Sequence, residues 1–390
     1  MRKSRVLRIV IYVENLLFSF TPYGNFLNNQ IIKNGRNSMK TYFEEREISC
    51  IERINEIVAE LPYFTQDFFI GVENRTSPLT RLNYAYDLRV FFDFLTKKMF
   101  RNKKISDLEL CDLDKLQAAD IEFFLSYLSH YEINGKKETC TETGKARKLS
   151  TLRAFYRYFF NKDKLIANTP SKVAMPKIHE KEIIRLDSNE KKDEIGDMLY
   201  TVASGNGLTK KQKAFHEVTK LRDTAIVTLF LGTGIRISEL VGLNIEDVDV
   251  ESKSFVVTRK GGNRAILYFN DDVASALSDY LEIRKNDPKF PAEERALFLS
   301  LQDRRISTRQ VQELVKKYAK IVSPLKKITP HKLRSTFGTN LYRQTGDIYV
   351  VADCLGHKDV NTTKKHYAAL SEDRRKNAAT HLKITGKDEG

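Results

Sequence analysis

Paired cysteines are missing from this sequence. Its four cysteines, Cys50, Cys111, Cys140 and Cys354, stand far apart and form no Cys-x-x-Cys pair. Cysteine-rich zinc sites and the disulfide frameworks of small secreted domains have characteristic cysteine spacings that this sequence lacks, so it suggests neither. The carboxylates also lack the grouping that a two-metal nuclease requires. We therefore expect a protein with no metal and no other cofactor, in a reducing, cytoplasmic environment.

Long apolar stretches are missing as well. The first residues combine a basic start with apolar runs, as a signal peptide does, but Glu14 and Asn15 interrupt the run and no clear cleavage site follows. No other stretch approaches the roughly 18 consecutive apolar residues that a membrane helix needs. The sequence predicts a soluble protein without a membrane partner.

Acidic residues are outnumbered by basic ones. Lysine and arginine together number 66, and aspartate and glutamate 51, which gives a formal charge of +15 and an isoelectric point near 9.4. This balance favours a polyanionic partner, chiefly nucleic acid or an anionic membrane surface, and predicts binding that weakens with salt. Charge that serves solubility alone is the other interpretation.

Residues 1–40 form a basic leader. Met39 stands just before the point where amphipathic patterning begins, so we expect the leader to be disordered or to precede the true start of the protein. Residues 1–38 hold six basic residues and one acid. Most of the excess positive charge therefore belongs to the rest of the chain.

The amino-terminal part predicts a helical bundle over residues 41–170. Apolar residues recur at helical spacing in four segments, at about residues 48–61, 78–95, 118–131 and 145–161. Ser77 can cap the second of these helices. The stretch that follows, with Pro176 and many charges, lacks any period and predicts a linker over residues 171–186.

Basic side chains lie on two of these predicted helices. Such a face can follow a phosphate backbone, and a solvated helix surface explains the charges equally well. The candidates for DNA contact are Arg81, Arg89, Lys145, Arg147, Lys148 and Arg153.

Residues 187–390 predict a second domain of helices with a small sheet. An apolar helix at about residues 221–231 stops at a Gly-Thr-Gly turn, and Arg236 begins the next helix. Two short strands, at residues 254–259 and 264–269, form a predicted hairpin with Lys260 at its tip. Further helices are predicted at about residues 271–285, 308–322, 331–343, 348–355 and 371–382.

Six residues in the second half of the chain suit a phosphodiester. Thr329 is a good helix cap and Pro330 suits a first helical position, so His331 and Arg334 should share one face of an opening turn. Free N–H groups and the helix dipole favour an anion there. Alone, His-x-x-Arg more often means a capping histidine and a surface arginine. The information lies in the joint order of Arg236, Lys260, His331, Arg334, His357 and Tyr367.

The full set resembles the motifs of the tyrosine recombinase, or phage-type integrase, family, in particular its Xer-like members. TGIRISEL at residues 233–240 is similar to the first arginine box, with Glu239 at its acidic position, and HKLR at 331–334 is similar to the second. LGH at 355–357, followed by NTT and Tyr367, resembles the third box, and Lys260 is similar to the family's catalytic lysine. The helical region at about residues 70–170 resembles the core-DNA-binding domain.

This resemblance implies a fold that is mainly α with a small β-sheet in the catalytic domain, arranged as a two-domain clamp on double-stranded DNA. It implies a site-specific recombinase or integrase that cuts and rejoins DNA through a 3′-phosphotyrosyl link and a Holliday junction, without ATP. A type IB topoisomerase-like nicking enzyme and a DNA-binding protein without catalysis are the alternatives. Integrase, DNA invertase and chromosome-dimer resolvase all stay open as biological roles.

The resemblance to tyrosine recombinases and the chemistry of phosphoryl transfer together imply a role for each residue. Arg236 and Arg334 would hold the nonbridging oxygens, where negative charge grows in the transition state. Free tyrosine has a pKa near 10, so the attacking Tyr367 needs a proton acceptor, which we assign to His331. Lys260 would protonate the departing 5′ oxygen.

Two supporting residues complete the predicted site. His357 would add a hydrogen bond to the phosphate. Glu239 would orient Arg236, although an acid on the helix surface is an equally good interpretation of it.

The tyrosine spacing departs from the family pattern. Tyr367 lies ten residues after His357, one more than the spacing usual among Xer-like members. This departure motivates the alternative of an inactive DNA-binding protein. Tyr342 and Tyr349 precede the third box and fit core positions of helices, which leaves Tyr367 as the candidate nucleophile.

The predicted last helix bears on assembly. Residues 371–382 carry only a small apolar stripe, so this helix should pack against something, either within its own chain or on a neighbour. The resemblance implies the second arrangement and with it a tetramer, either homotetrameric or heterotetrameric, on two recombination sites, with accessory proteins as further candidate partners.

Overall fold

The computed structural model describes residues 41–178, 184–189, 192–259, 262–287, 290, 293–357 and 359–360. Helices dominate these residues, and none of the described helices is long and apolar enough to cross a membrane. The amino-terminal helices are α1 (Tyr42–Ala59), α2 (Thr65–Val72), α3 (Pro78–Phe94), α4 (Leu110–Asp114), α5 (Ala118–Tyr127) and α6 (Glu142–Phe160).

Helix α3 begins where the sequence predicts it. The Ser77 hydroxyl accepts the Thr80 N–H at 3.4 Å, and Pro78 occupies the first helical position, where its missing N–H costs nothing. A single π-helical turn, Leu95–Met99, continues the helix. The predicted cap and the predicted start of this helix are confirmed.

Aromatic side chains build the core of this part. Phe68, Phe91, Phe124, Phe155 and Phe159 are fully buried, and their rings meet edge to face. The ring centres of Phe68 and Phe155 are 5.0 Å apart, and those of Phe155 and Phe159 are 5.1 Å apart. Edge-to-face pairs of this kind add about 0.5–1.5 kcal/mol each beyond the burial of their area. The core therefore fixes how α2, α3, α5 and α6 pack.

The predicted helix at residues 118–131 is too long. Helix α5 ends at Tyr127, and a hairpin of β1 (Tyr131–Ile133) and β2 (Lys136–Glu138) follows. Asn134 and Gly135, with φ of 51° and 72°, form its turn. Asn-Gly adopts these left-handed angles readily, which makes it a strong hairpin signal that helical periodicity alone obscures.

A buried ionic cluster joins α3 to α6. Asp87 is 1% exposed and accepts hydrogen bonds from Arg147 Nη1 at 2.6 Å, Lys148 Nζ at 2.9 Å and Thr151 Oγ1 at 2.8 Å. Lys148 is itself only 7% exposed. Each buried charge therefore depends on the other for compensation.

Replacing Asp87 by alanine should destabilise the helical part strongly. The substitution leaves the Lys148 ammonium buried without its counter-charge, which costs about 3–5 kcal/mol. Asp67→Ala is the control, because Asp67 pairs with Lys164 where both side chains are more than a third exposed, and such pairs contribute at most about 1 kcal/mol. Urea unfolding measures both. Equal losses in the two variants would contradict the role of the cluster.

The carboxy-terminal part combines helices with a three-stranded antiparallel sheet, whose strands lie in the order Val248–Asp249, Ser254–Thr258 and Arg264–Tyr268. The two long strands pair in register, with Thr258 opposite Arg264 next to the turn. The strands are β3 (Ser188–Asn189), β4 (Lys192–Asp193), β5 (Val248–Asp249), β6 (Ser254–Thr258) and β7 (Arg264–Tyr268). The helices are α7 (Glu194–Ser204), α8 (Lys210–Thr233), α9 (Ile237–Gly242), α10 (Asp271–Asn286), α11 (Thr308–Val322), α12 (Pro330–Thr345) and α13 (Ile348–Leu355).

Glu194 anchors the start of this part. It is fully buried and accepts hydrogen bonds from Lys192 and Lys326 at 2.6 Å, from Ser323 Oγ at 2.9 Å and from the Asp187 N–H at 2.8 Å. Burial alone would raise the pKa of this carboxyl, but the hydrogen bonds outweigh it and lower the pKa to about 2. The ionised form therefore ties residues 187–194 to the loop after α11.

This lowered pKa predicts acid-sensitive stability. A carboxyl with a depressed pKa in the folded state stabilises the protein above its unfolded value of 4.5, and the gain is lost as pH falls towards 2. We expect the stability advantage of wild type over Glu194→Gln to shrink by about 2 kcal/mol between pH 7 and pH 3. Urea unfolding at both pH values measures it. A difference that does not change with pH would contradict the ionised anchor.

Candidate active site

Arg236 is held on the turn between two helices. Gly234, with φ of 62°, ends α8 in the left-handed conformation, and Arg236 is the cap of α9. Its N–H and its Nη1 both donate to the Glu239 carboxylate, at 3.0 and 2.8 Å, and its Nη2 donates to the Gly356 carbonyl at 2.9 Å. Glu239 is 4% exposed. A buried carboxylate that engages one arginine with both oxygens is the arrangement that an orienting role requires.

Arg334 lies deeper than Arg236. It occupies the first turn of α12, as predicted, and is 6% exposed. Its Nη1 donates to the Gly234 carbonyl and its Nη2 to the Leu355 carbonyl. The guanidinium therefore connects the end of α8 to the end of α13.

The histidines flank these arginines differently. His331 opens α12 and is exposed, whereas His357 is half-buried just beyond α13. Gly356, with φ of 59°, ends α13 in the left-handed conformation, and the His357 N–H donates to the Ala352 carbonyl at 2.9 Å. The turn fixes the backbone of His357 next to the carbonyl that Arg236 holds.

The structure thus brings Arg236, Glu239, Arg334 and the Gly356-His357 turn together, although they come from segments 120 residues apart. Lys260 and Tyr367 lie outside the described residues. Among the described residues, no group of three or more His, Cys, Asp or Glu could hold a metal ion.

Arg259 also lies at this site, and sequence reasoning missed it. A Cβ atom built on Gly356 would be 2.5 Å from Arg259 Cζ, so the guanidinium covers this glycine. Its position immediately before Lys260, in a basic hairpin, was the available signal.

Tyr349 corrects one expectation. It was predicted in a helix core, yet it is 70% exposed on α13 because the buried stripe of this short helix is Val351, Ala352 and Leu355. Burial therefore gives no reason to dismiss Tyr349 as a nucleophile.

Three of the candidate DNA contacts also bind other parts of the protein. Arg81 is 6% exposed, and its Nη1 donates to two backbone carbonyls before α3, at 2.8 and 2.9 Å. Arg153 donates to the carbonyls of Pro170 and Val173, at 3.1 and 2.5 Å. Lys148 belongs to the buried ionic cluster around Asp87. Their guanidinium and ammonium groups contact the protein itself, and their contact with DNA stays a prediction.

The other three candidates also stay predictions. Arg147 is 45% exposed on its side chain while it binds the cluster acid. Arg89 lies over the Tyr86 ring, 5.4 Å from its centre. Lys145 pairs with Glu142 at 2.8 Å.

Comparison with known proteins decides the family. Residues 206–374 match the model of the Phage integrase family, and residues 66–162 match that of the Phage integrase, N-terminal SAM-like domain. Tyrosine recombinase XerC of Caldanaerobacter subterraneus is 35% identical over 334 residues, which cover 82% of this chain and 86% of the relative. The chain belongs to the tyrosine recombinase family. Tyrosine recombinase XerS of Streptococcus agalactiae is 29% identical over 359 residues, which cover 87% of this chain and the whole relative.

Solved tyrosine recombinase structures share the fold. XerH site-specific recombinase bound to palindromic difH substrate matches with a TM-score of 0.60 at 17% identity, over 88% of this chain and 90% of that chain. Tn1549 transposon integrase in complex with circular intermediate DNA matches with a TM-score of 0.56 at 18% identity, over 77% and 94%. These likenesses confirm the predicted mainly helical fold with a small sheet.

Membership in the tyrosine recombinase family also confirms the predicted class of enzyme. The chain is a DNA strand-cleaving and strand-rejoining enzyme of site-specific recombination. The nicking enzyme and the inactive DNA-binding protein are not favoured by these relatives.

Proposed function

We propose that this recombinase binds double-stranded DNA and cleaves it with Tyr367 as the nucleophile. The observation that supports this most is the arrangement of Arg236 and Arg334, which two separate turns hold beside one another through the carbonyls of Gly234, Leu355 and Gly356. Guanidinium groups fixed in this way suit the two nonbridging oxygens of a phosphodiester. Two solved structures of the same fold support the proposed binding of DNA. XerH was solved with its palindromic difH substrate, and Tn1549 integrase with circular intermediate DNA.

Cleavage then proceeds as an in-line displacement. The Tyr367 oxygen attacks phosphorus while His331 accepts its proton, and the bond to the 5′ oxygen breaks. Lys260 gives that oxygen a proton, so a free 5′ hydroxyl leaves. Attack by the 5′ hydroxyl of another strand reverses the step and joins the new ends. Each fixed donor that faces the growing charge contributes about 3–4 kcal/mol to lowering the barrier.

Glu239 acts on this chemistry through Arg236. Two of the five N–H donors of Arg236 are engaged by Glu239 and Gly356, which sets the plane of the guanidinium before DNA binds. A preorganised donor avoids reorganisation at the moment of reaction. Glu239 is therefore a positioning residue in this proposal.

Different segments of the chain have different functions in this proposal. Residues 41–170 form the core-DNA-binding domain, residues 171–186 the linker, and residues 187–390 the catalytic domain of a clamp that works on cytoplasmic DNA. Residues 371–382, which lie outside the described residues, dock in this proposal on a neighbouring protomer, which builds a homotetramer on two recombination sites. Arg89, Lys145 and Arg147 follow the phosphate backbone.

Covalent trapping tests the proposal. A duplex with a randomised core is incubated with the protein, and DNA that stays attached in detergent is sequenced to give the selected duplex. A nicked form of this duplex, which loses the 5′ hydroxyl fragment after cleavage, should accumulate as a covalent adduct. Two intact selected duplexes should yield joint products. Relaxation or nicking without joint products would favour the topoisomerase-like enzyme, and binding without adduct would favour a protein without catalysis.

A further inference from the structure

Arg259 stands at a fixed point beside the arginine site. It follows β6 directly, where its N–H donates to the Asn263 carbonyl at 2.8 Å and its carbonyl accepts the Gly262 N–H at 3.1 Å. Gly262 supplies the left-handed angle of this turn, with φ of 80°. The backbone of Arg259 is thereby held by the hairpin that carries Lys260, whose catalytic role rests on the proposed function.

The Arg259 side chain reaches from this hairpin to the turn after α13. A Cβ atom on Gly356 would be 2.5 Å from Cζ, 2.5 Å from Nη1 and 2.8 Å from Nη2, so the flat guanidinium lies across the glycine. The carbonyl of the same glycine accepts the hydrogen bond from Arg236. The preceding carbonyl, that of Leu355, accepts the bond from Arg334. Guanidinium groups from β6, α9 and α12 therefore converge on one peptide segment.

One N–H group of this third guanidinium has no acceptor in the described part of the protein. Arg259 Nε is buried and has no hydrogen-bond acceptor among the described residues. A buried N–H donor without an acceptor destabilises the folded state, and native proteins seldom keep one without a use. Glu239, the buried acid of the site, is already engaged by Arg236. An anion that enters beside Gly356 would supply the missing acceptor.

We infer that Arg259 is a further phosphate-binding residue of the active site, which donates to the scissile phosphodiester alongside Arg236 and Arg334. Its contact with Gly356 fixes the position of its guanidinium relative to that of Arg236, which binds the carbonyl of the same glycine. The inference rests on the proposed function, since the anion is the phosphate that Tyr367 attacks. A phosphate oxygen suits the site because the guanidinium fork can bind it through two N–H groups.

Single-turnover adduct formation on the nicked selected duplex gives the first test. Arg259→Ala and Arg259→Gln should slow it about 100-fold, as the loss of one preorganised donor does. Arg264→Ala is the matched control, because Arg264 lies on the same hairpin, is 69% exposed on its side chain and pairs with Asp247 at 3.5 Å. It should stay within about twofold of wild type, as surface charges contribute little. Thermal unfolding of all variants verifies that each is folded.

Binding to a neutral linkage separates a phosphate contact from a purely structural one. In a Tyr367→Phe background, affinity is measured for the selected duplex and for the same duplex with a methylphosphonate at the scissile position. Arg259→Ala should raise Kd about tenfold on the phosphodiester and leave it unchanged on the methylphosphonate, which lacks the charged oxygen. Equal losses on the two duplexes, or a rate within twofold of wild type, would overturn the inference. If wild type forms no adduct at all, the proposed function fails and this inference fails with it.

Discussion

Arg334→Ala should slow covalent cleavage by at least about 100-fold and lower stability at the same time. Arg334 is 6% exposed and is the donor to the carbonyls of Gly234 and Leu355. Without it, two carbonyls lose their partner, at about 1–3 kcal/mol for each group left unsatisfied. A phosphate donor is lost as well, which lowers the rate about 100- to 1,000-fold. Both turns of the site depend on this side chain. We therefore expect the cleavage rate to fall further than the loss of one phosphate donor alone would cause.

Adduct formation on the nicked selected duplex and thermal unfolding measure the two effects separately. Arg309→Ala is the control, since Arg309 is 78% exposed on its side chain and pairs only across the surface of its own helix with Glu313. Arg334→Lys keeps the charge but cannot donate as a planar fork to two carbonyls, so it should remain inactive. An Arg334→Ala variant that cleaves within tenfold of wild type would contradict the geometry.

Much of the fold follows from local signals. Ser77 and Pro78 mark the start of α3, and the same logic at Thr329 and Pro330 places His331 and Arg334 in the first turn of α12. The two strands beside Lys260 are found at 254–258 and 264–268, as the alternation predicted. Caps and turns depend on residues close in sequence, which is why sequence alone is sufficient for them.

Side-chain partners distant in sequence could not be predicted in this way. Charge on a helix face gave Lys148 as a DNA contact, yet tertiary packing buries it against Asp87, 61 residues away. Arg259 was missed for the same reason, because its contact with Gly356 joins residues almost a hundred positions apart. The hairpin of β1 and β2 was missed because the helical period was followed to residue 131, past the end of α5 at Tyr127.

Tyr367→Phe should remove covalent adduct formation completely. Phenylalanine keeps the ring and its packing but has no oxygen to attack phosphorus, so nothing replaces the nucleophile. DNA affinity should stay close to that of wild type, because the phosphate donors are unchanged. Adduct formation and equilibrium binding to the selected duplex measure these two outcomes.

Tyr349→Phe is the matched control for this prediction. Tyr349 is 70% exposed and lies only eight residues before His357, so it is a described rival of Tyr367. We expect its loss to leave the adduct rate within about twofold of wild type, since it is a surface residue with no assigned role in cleavage. Adduct formed by Tyr367→Phe but lost in Tyr349→Phe would reverse the assignment.

Mass spectrometry of the trapped adduct identifies the nucleophile directly. Trypsin separates the two tyrosines, because Tyr349 falls in the peptide of residues 344–358 and Tyr367 in that of residues 366–374. After nuclease treatment, we predict a nucleotide remnant on Tyr367 in the second peptide. A remnant on the first peptide, or on any tyrosine other than Tyr367, would contradict the proposal that this recombinase cleaves DNA through Tyr367.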